Sequence, residues 1–189
     1  MEPGEIAESG SAAPFVAIDF ETADYLPDSA CAVGLVRVER GRIVSRKHYY
    51  IRPPRREFVF TYIHGISWED VRKKPDFAEL WPLLREELAG ARFLAAHNAG
   101  FDQGVLNACC ASADVEPPDI PFLCTVRLAR RAWSIYPTKL PDVCRRLGIS
   151  LNHHEALSDA EACARIVLAA RKQGSFAGAA NQSSGASSL

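Results

Sequence analysis

FVAIDFETAD, residues 15–24, is the stretch that decides how this chain folds. Its first six residues form a nearly continuous apolar run, the pattern of a strand buried on both faces, and the run ends in charge. Side chains alternate along a strand, so Asp19 and Glu21, two apart, point to the same side. A buried strand therefore delivers two carboxylates to one place.

Outward from that strand, ACAVGLVRVER (30–40) and RIVSRKHYYIR (42–52) flank Gly41 and predict an antiparallel hairpin. After Pro53 and Pro54 the period changes. Asp76 with Glu79 forms a capping-box-like start, and Phe77, Leu80, Leu84 and Leu88 mark one face of a helix ending near Gly90. Residues 92–96 predict another strand, followed by a helix over 101–112, a short strand at 122–125 and a helix into Trp133. Leu140, Val143, Cys144 and Leu147 give a helix stopped by Gly148, and a last helix over about 156–172 turns Cys163, Ile166, Val167 and Ala170 inward. Three strands followed by alternating strand–helix units predict an α/β fold, a mixed five-stranded sheet flanked by helices.

The 189 residues are 48% apolar and 9% aromatic with a net charge of −1, the profile of one soluble globular domain. Disordered chains, membrane proteins and polycationic coats are excluded. Residues 1–13 and 174–189 read as disordered tails around a folded domain over 14–173. That domain carries 22 basic and 20 acidic groups, because Glu2, Glu5 and Glu8 precede it, and the resulting +2 is too weak to argue nucleic-acid binding by itself. The acidic start does not resemble a secretory leader and no apolar run is long enough for a membrane span, so the expected setting is cytoplasmic, without a membrane partner. Six cysteines (31, 109, 110, 124, 144 and 163) lack any C-x-x-C pair and read as reduced, mostly buried thiols, not zinc ligands.

Two further acids belong with Asp19 and Glu21. Asp102 follows FLAA and HNAGF at the mouth of a helix, and Asp159 lies in the first turns of the last helix, after His153 and His154. Singly, each reads as a solvated or helix-start acid. Together they stand at strand and helix ends, where α/β architectures place ligands. Carboxylates brought together repel unless cations sit among them, and hard oxygen donors suit Mg²⁺ or Mn²⁺.

IDFETAD, HNAGFD and HHEALSDAEA, in that order, resemble the three motifs of the DnaQ-like (DEDDh) 3′–5′ exonucleases, the group that includes the epsilon proofreading subunits of DNA polymerase III. IHGI (63–66), CTVRLAR (124–130) and the segment 140–149 match further landmarks. The resemblance spans about 15–170 and implies a ribonuclease-H-like fold and release of nucleoside monophosphates from a 3′ end with two divalent ions, Mg²⁺ or Mn²⁺. It implies that Asp19, Glu21 and Asp159 complete one metal site with Asp19 bridging to a second held by Asp102. His154, in the H-x₄-D spacing, would be the general base; His153 fits that spacing less well. Thr22 through its backbone, Ile63, His64, Asn98 and Phe101 would hold the terminal nucleotide, although Ile63 and Phe101 read equally well as core.

Charge adds one more expectation. Neutralising the four acids with two divalent ions would leave +6 on the domain, and Arg127, Arg130, Arg131, Lys139, Arg145 and Arg146 face only Asp142 between 127 and 146. This is either a phosphate-facing stripe or a solvated helix face. RPPRR (52–56) is a weaker candidate of the same kind. The expected substrate is a single-stranded or unpaired DNA 3′ end, with an RNA 3′ end as the close rival and a DNA polymerase as a possible partner. A non-catalytic polymerase accessory, which would have lost one or more of these acids, ranks below both.

Overall fold

Strand β1 (Phe15–Thr22) runs through the middle of a five-stranded sheet of order β3-β2-β1-β4-β5. β2 (Ala30–Glu39) pairs antiparallel with β1 and with β3 (Arg42–Tyr50), while β4 (Leu94–Ala96) and β5 (Phe122–Cys124) join in parallel. The computed structural model describes residues 13–176; of the tails expected over 1–13 and 174–189, residues 1–12 and 177–189 lie outside the described residues. Among the described residues no helix is long and apolar enough to cross a membrane.

Alternation along β1 sorts the core into two layers. Phe15 and Ala17 face a cluster with Val36, Val38 and the helices α5 (Thr125–Trp133), α6 (Leu140–Leu147) and α7 (Ala156–Lys172). Val16, Ile18 and Phe20 face the other cluster, built with α3 (Phe77–Leu88) and α4 (Gly100–Ser112). Asp19 and Glu21 therefore continue the row that faces α7. Burial of both faces is what the unbroken apolar run of β1 demands, since an exposed face would leave it alternating.

The expected elements form where the periods place them. Asp76 Oδ1 accepts from the Glu79 amide at 3.0 Å and Glu79 Oε2 from the Asp76 amide at 2.9 Å, the reciprocal cap that starts α3. Gly148 closes α6 with φ 66° and donates to the Cys144 carbonyl. All six cysteines are free, and only Cys124 is not buried.

Two helices escaped the sequence reading. α1 (Thr61–His64) and α2 (Trp68–Val71) are four residues each, too short to show a helical period. At the other end, packing continues past 173: Phe176 is buried against Phe93, with the Arg171 guanidinium 4.8 Å from its ring centroid.

The RPPRR segment is not a free basic patch. Arg55 is paired with Asp24 at 2.9 Å and with Asp28, Arg52 with Asp76 at 2.9 Å, and Arg56 lies over Trp68. Its cations are spent on neighbouring carboxylates and an aromatic ring, so the phosphate-binding expectation for 52–56 is withdrawn.

Candidate active site

Three of the four predicted acids converge. Ligand oxygens of Asp19, Glu21 and Asp159 lie within 4.8 Å of one another, close enough to share one cation. β1 supplies the first two from one face, and the first turn of α7 brings the third against that face. Asp102 reaches the same end of β1 from α4, where its Oδ1 accepts the Phe20 amide at 3.0 Å. This bond joins the second motif to the first through the strand backbone.

Such crowding is electrostatically unfavourable without cations. Burial, then the charges of Asp102, Asp159, Glu21 and Glu155, push the Asp19 carboxyl well above its ordinary range. Burial and the same kind of repulsion raise Glu21 to about 8, and burial raises Asp102 to about 7. Burial also raises Asp159, partly offset by His153 and His154. Asp159 Oδ1 is buried without a hydrogen-bond partner. A buried, unpaired carboxylate oxygen beside two other carboxylates is a donor set that could hold a metal ion.

The two histidines divide their contacts. His153 Nδ1 lies 2.7 Å from Asp159 Oδ2, whereas His154 reaches the same oxygen with its backbone amide at 3.2 Å. The rings stack with centroids 3.8 Å apart, and His154 has φ 68°. Burial and the His153 charge lower the His154 pKa, which keeps its ring neutral near physiological pH.

The apolar groups among the predicted nucleotide contacts reach the surface. Ile63 is 39% and Phe101 48% exposed, which removes the core alternative for both. His64 Nε2 lies 3.2 Å from the Thr22 carbonyl, tying α1 to the end of β1. Asn98 is exposed with φ 68°, and its carbonyl accepts the Phe101 amide at 2.9 Å at the start of α4.

Three contributors had no role in the sequence reading. Glu155 caps α7, accepting the Ser158 amide at 2.8 Å, and adds its charge to the cluster. His97 connects Thr125 Oγ1 at 2.8 Å with the Thr138 carbonyl at 2.9 Å; it lies within the quoted HNAGFD, where a half-buried histidine needs partners. Gly34, paired with Asp19 across the sheet, lets the start of α7 lie on β2. An isolated glycine in an apolar strand was its signal.

Comparison with known proteins places the chain among exonucleases. Residues 16–167 match the family model RNase_T, described as an exonuclease. The chain is 31% identical over 160 residues to the PolC-type DNA polymerase III of Thermotoga maritima and 32% over 158 residues to that of Clostridium perfringens, covering 82% and 81% of this chain. It spans only 12% and 11% of those polymerases. A solved structure of Exonuclease X with 5′-overhanging duplex DNA superposes with a TM-score of 0.68 at 25% identity, over 82% of this chain and 89% of that one. The nuclease domain of 3′hExo, a DEDDh family member bound to rAMP, gives 0.72 at 19% identity, over 87% and 94%, and so bears on the ribonuclease-H-like fold alone.

Proposed function

We propose, because this chain belongs to the RNase_T family of exonucleases and is of the DnaQ-like 3′–5′ type, that it releases nucleoside 5′-monophosphates from single-stranded or unpaired DNA 3′ ends. The observation that carries this reading is the convergence of Asp19, Glu21 and Asp159 around an unpartnered buried oxygen.

Asp19, Glu21 and Asp159 would hold one divalent ion, Mg²⁺ or Mn²⁺, and Asp19 with Asp102 a second. When bound, such ions lower the pKa of water and stabilise charge on the phosphate and the departing oxygen. The chain's own groups do the rest. The neutral His154 ring takes a proton from the attacking water as the new P–O bond forms and the P–O3′ bond breaks. His153 orients Asp159 through its 2.7 Å contact. Phe101 and Ile63 grip the terminal base through apolar contact, which is sequence-tolerant, while Asn98, His64 and the Thr22 backbone hold sugar and phosphate. A DNA polymerase is the partner this reading implies, since the PolC-type relatives carry the matched region inside polymerase chains.

The test is incubation of a 3′-labelled DNA oligonucleotide and its RNA counterpart with Mg²⁺, Mn²⁺ or EDTA. Metal-dependent mononucleotide release, faster on DNA and lost in Asp159→Asn, is expected. Faster release from RNA would move the substrate to RNA. No release with metal bound would leave a non-catalytic nucleic-acid-binding module.

A further inference from the structure

The second basic stretch, 127–146, behaves unlike 52–56. Among the described residues its only ion pair is Arg145 with Asp142; Arg127, Arg130, Arg131 and Lys139 have no carboxylate within 4.0 Å. Arg127, Arg130 and Arg131 stand at i, i+3 and i+4 on α5, so they share one face, opposite the buried Leu128 and Ala129.

Arg130 is held in place without being neutralised. Its Nε donates to Thr138 Oγ1 at 2.9 Å, and its guanidinium lies 5.5 Å from the ring centroid of Tyr136, which is 70% exposed. The Thr138 hydroxyl in turn donates to the Ile135 carbonyl at 2.9 Å. The loop is pinned from below by His97, whose other nitrogen meets Thr125. Arg130 and His97 thus meet at Thr138, and His97 directly follows β4, the parallel neighbour of the strand that carries Asp19 and Glu21. A guanidinium fixed through Nε leaves its two terminal nitrogens free to fork onto an anion.

We propose that α5 and the 134–139 loop, centred on Arg130, bind the phosphates of the strand immediately 5′ of the terminal nucleotide. This rests on the exonuclease reading above. Its logic is charge complementarity: the carboxylate cluster repels a polyanion, so a substrate strand needs fixed cations close to the entrance. Tyr136 offers a ring to an unpaired base alongside them.

The experiment uses the full chain and two 5′-fluorescein DNA substrates, a dinucleotide and a strand of about 12 nucleotides, long enough for one such groove. Arg130→Ala and the triple variant Arg127→Ala/Arg130→Ala/Arg131→Ala are compared with wild type. The expected result is a KM increase on the longer strand exceeding that on the dinucleotide by about tenfold or more, with kcat retained and a salt dependence shallower by about 0.7 per lost phosphate contact. Equal losses on both substrates, or none on the longer one, would overturn the proposal. Anisotropy of the longer strand in Ca²⁺ reads binding even without turnover: weaker binding by the variants supports the surface, and equal binding sinks it. Failure of wild type to cut either substrate would count against the exonuclease reading, leaving anisotropy to decide the surface. Equal competition by poly-glutamate would assign the patch to an acidic protein and overturn the nucleic-acid proposal.

Discussion

A methyl group on Gly34 would lie 2.2 Å from the carbonyl oxygen of Ala156 and 2.5 Å from the Leu157 amide nitrogen. No side chain fits there, because the obstruction is backbone. Gly34 is also the residue opposite Asp19 in the β1–β2 ladder. The absence of one carbon thus sets how closely α7, carrying Asp159, approaches the strand carrying Asp19 and Glu21.

Gly34→Ala should force the start of α7 away from β2. Overpacking of this kind costs about 1–3 kcal/mol, a fall in Tm of about 2–12 °C for a domain of this size. Turnover at a temperature where the variant remains folded should fall further, since the ligand oxygens separate. A thermal melt beside a metal-dependent rate checks both. Wild-type values in each would show that α7 is not positioned by this contact.

Asp19→Ala or Asp159→Asn should nearly abolish nucleotide release, because each removes a donor from the shared cation site. Isothermal titration with Mn²⁺ should show the matching loss of metal affinity. Near-normal turnover in either variant refutes the donor assignment.

His154→Ala should lower the rate about 10²-fold or more and remove the acidic limb of the pH–rate profile, while leaving metal affinity in place. His153→Ala should do less, because its contact with Asp159 orients a ligand without moving the proton. The reverse ranking would hand the base role to His153.

Stability of the metal-free protein should fall as pH rises from 5 to 9. Glu21 and Asp102 have native pKa values raised to about 8 and about 7, above their ordinary values, so between those limits the native state holds protons that the unfolded chain has released. Where the native state binds more protons, stability declines with pH. Added Mg²⁺ should therefore raise Tm more at pH 8 than at pH 5, as read by differential scanning fluorimetry in EDTA and in Mg²⁺. An equal shift at both pH values would separate the cation site from these carboxylates.

Much of the architecture was legible because it is written in short-range periods. The apolar run at 15–20, the turn glycine at 41, the Asp76–Glu79 cap and the inward positions of α7 are each local patterns, and each element formed where its pattern lies. The four-residue helices α1 and α2 carry too few residues to establish a period. The Arg55 pairing with Asp24 and Asp28 joins positions about 30 apart in the chain, which no local pattern reports.

By itself the sequence determined the five strands and the longer helices, the parity that puts Asp19 and Glu21 on one side, and the family to which the motifs belong. Only the tertiary structure decided that Asp159 meets those two acids, that His153 and not His154 puts its ring on Asp159, and that Arg130 stays unpaired while Arg55 does not. The reason is physical: backbone periodicity is a property of neighbouring residues, whereas a shared cation or an ion pair depends on the distance between atoms that only packing brings together.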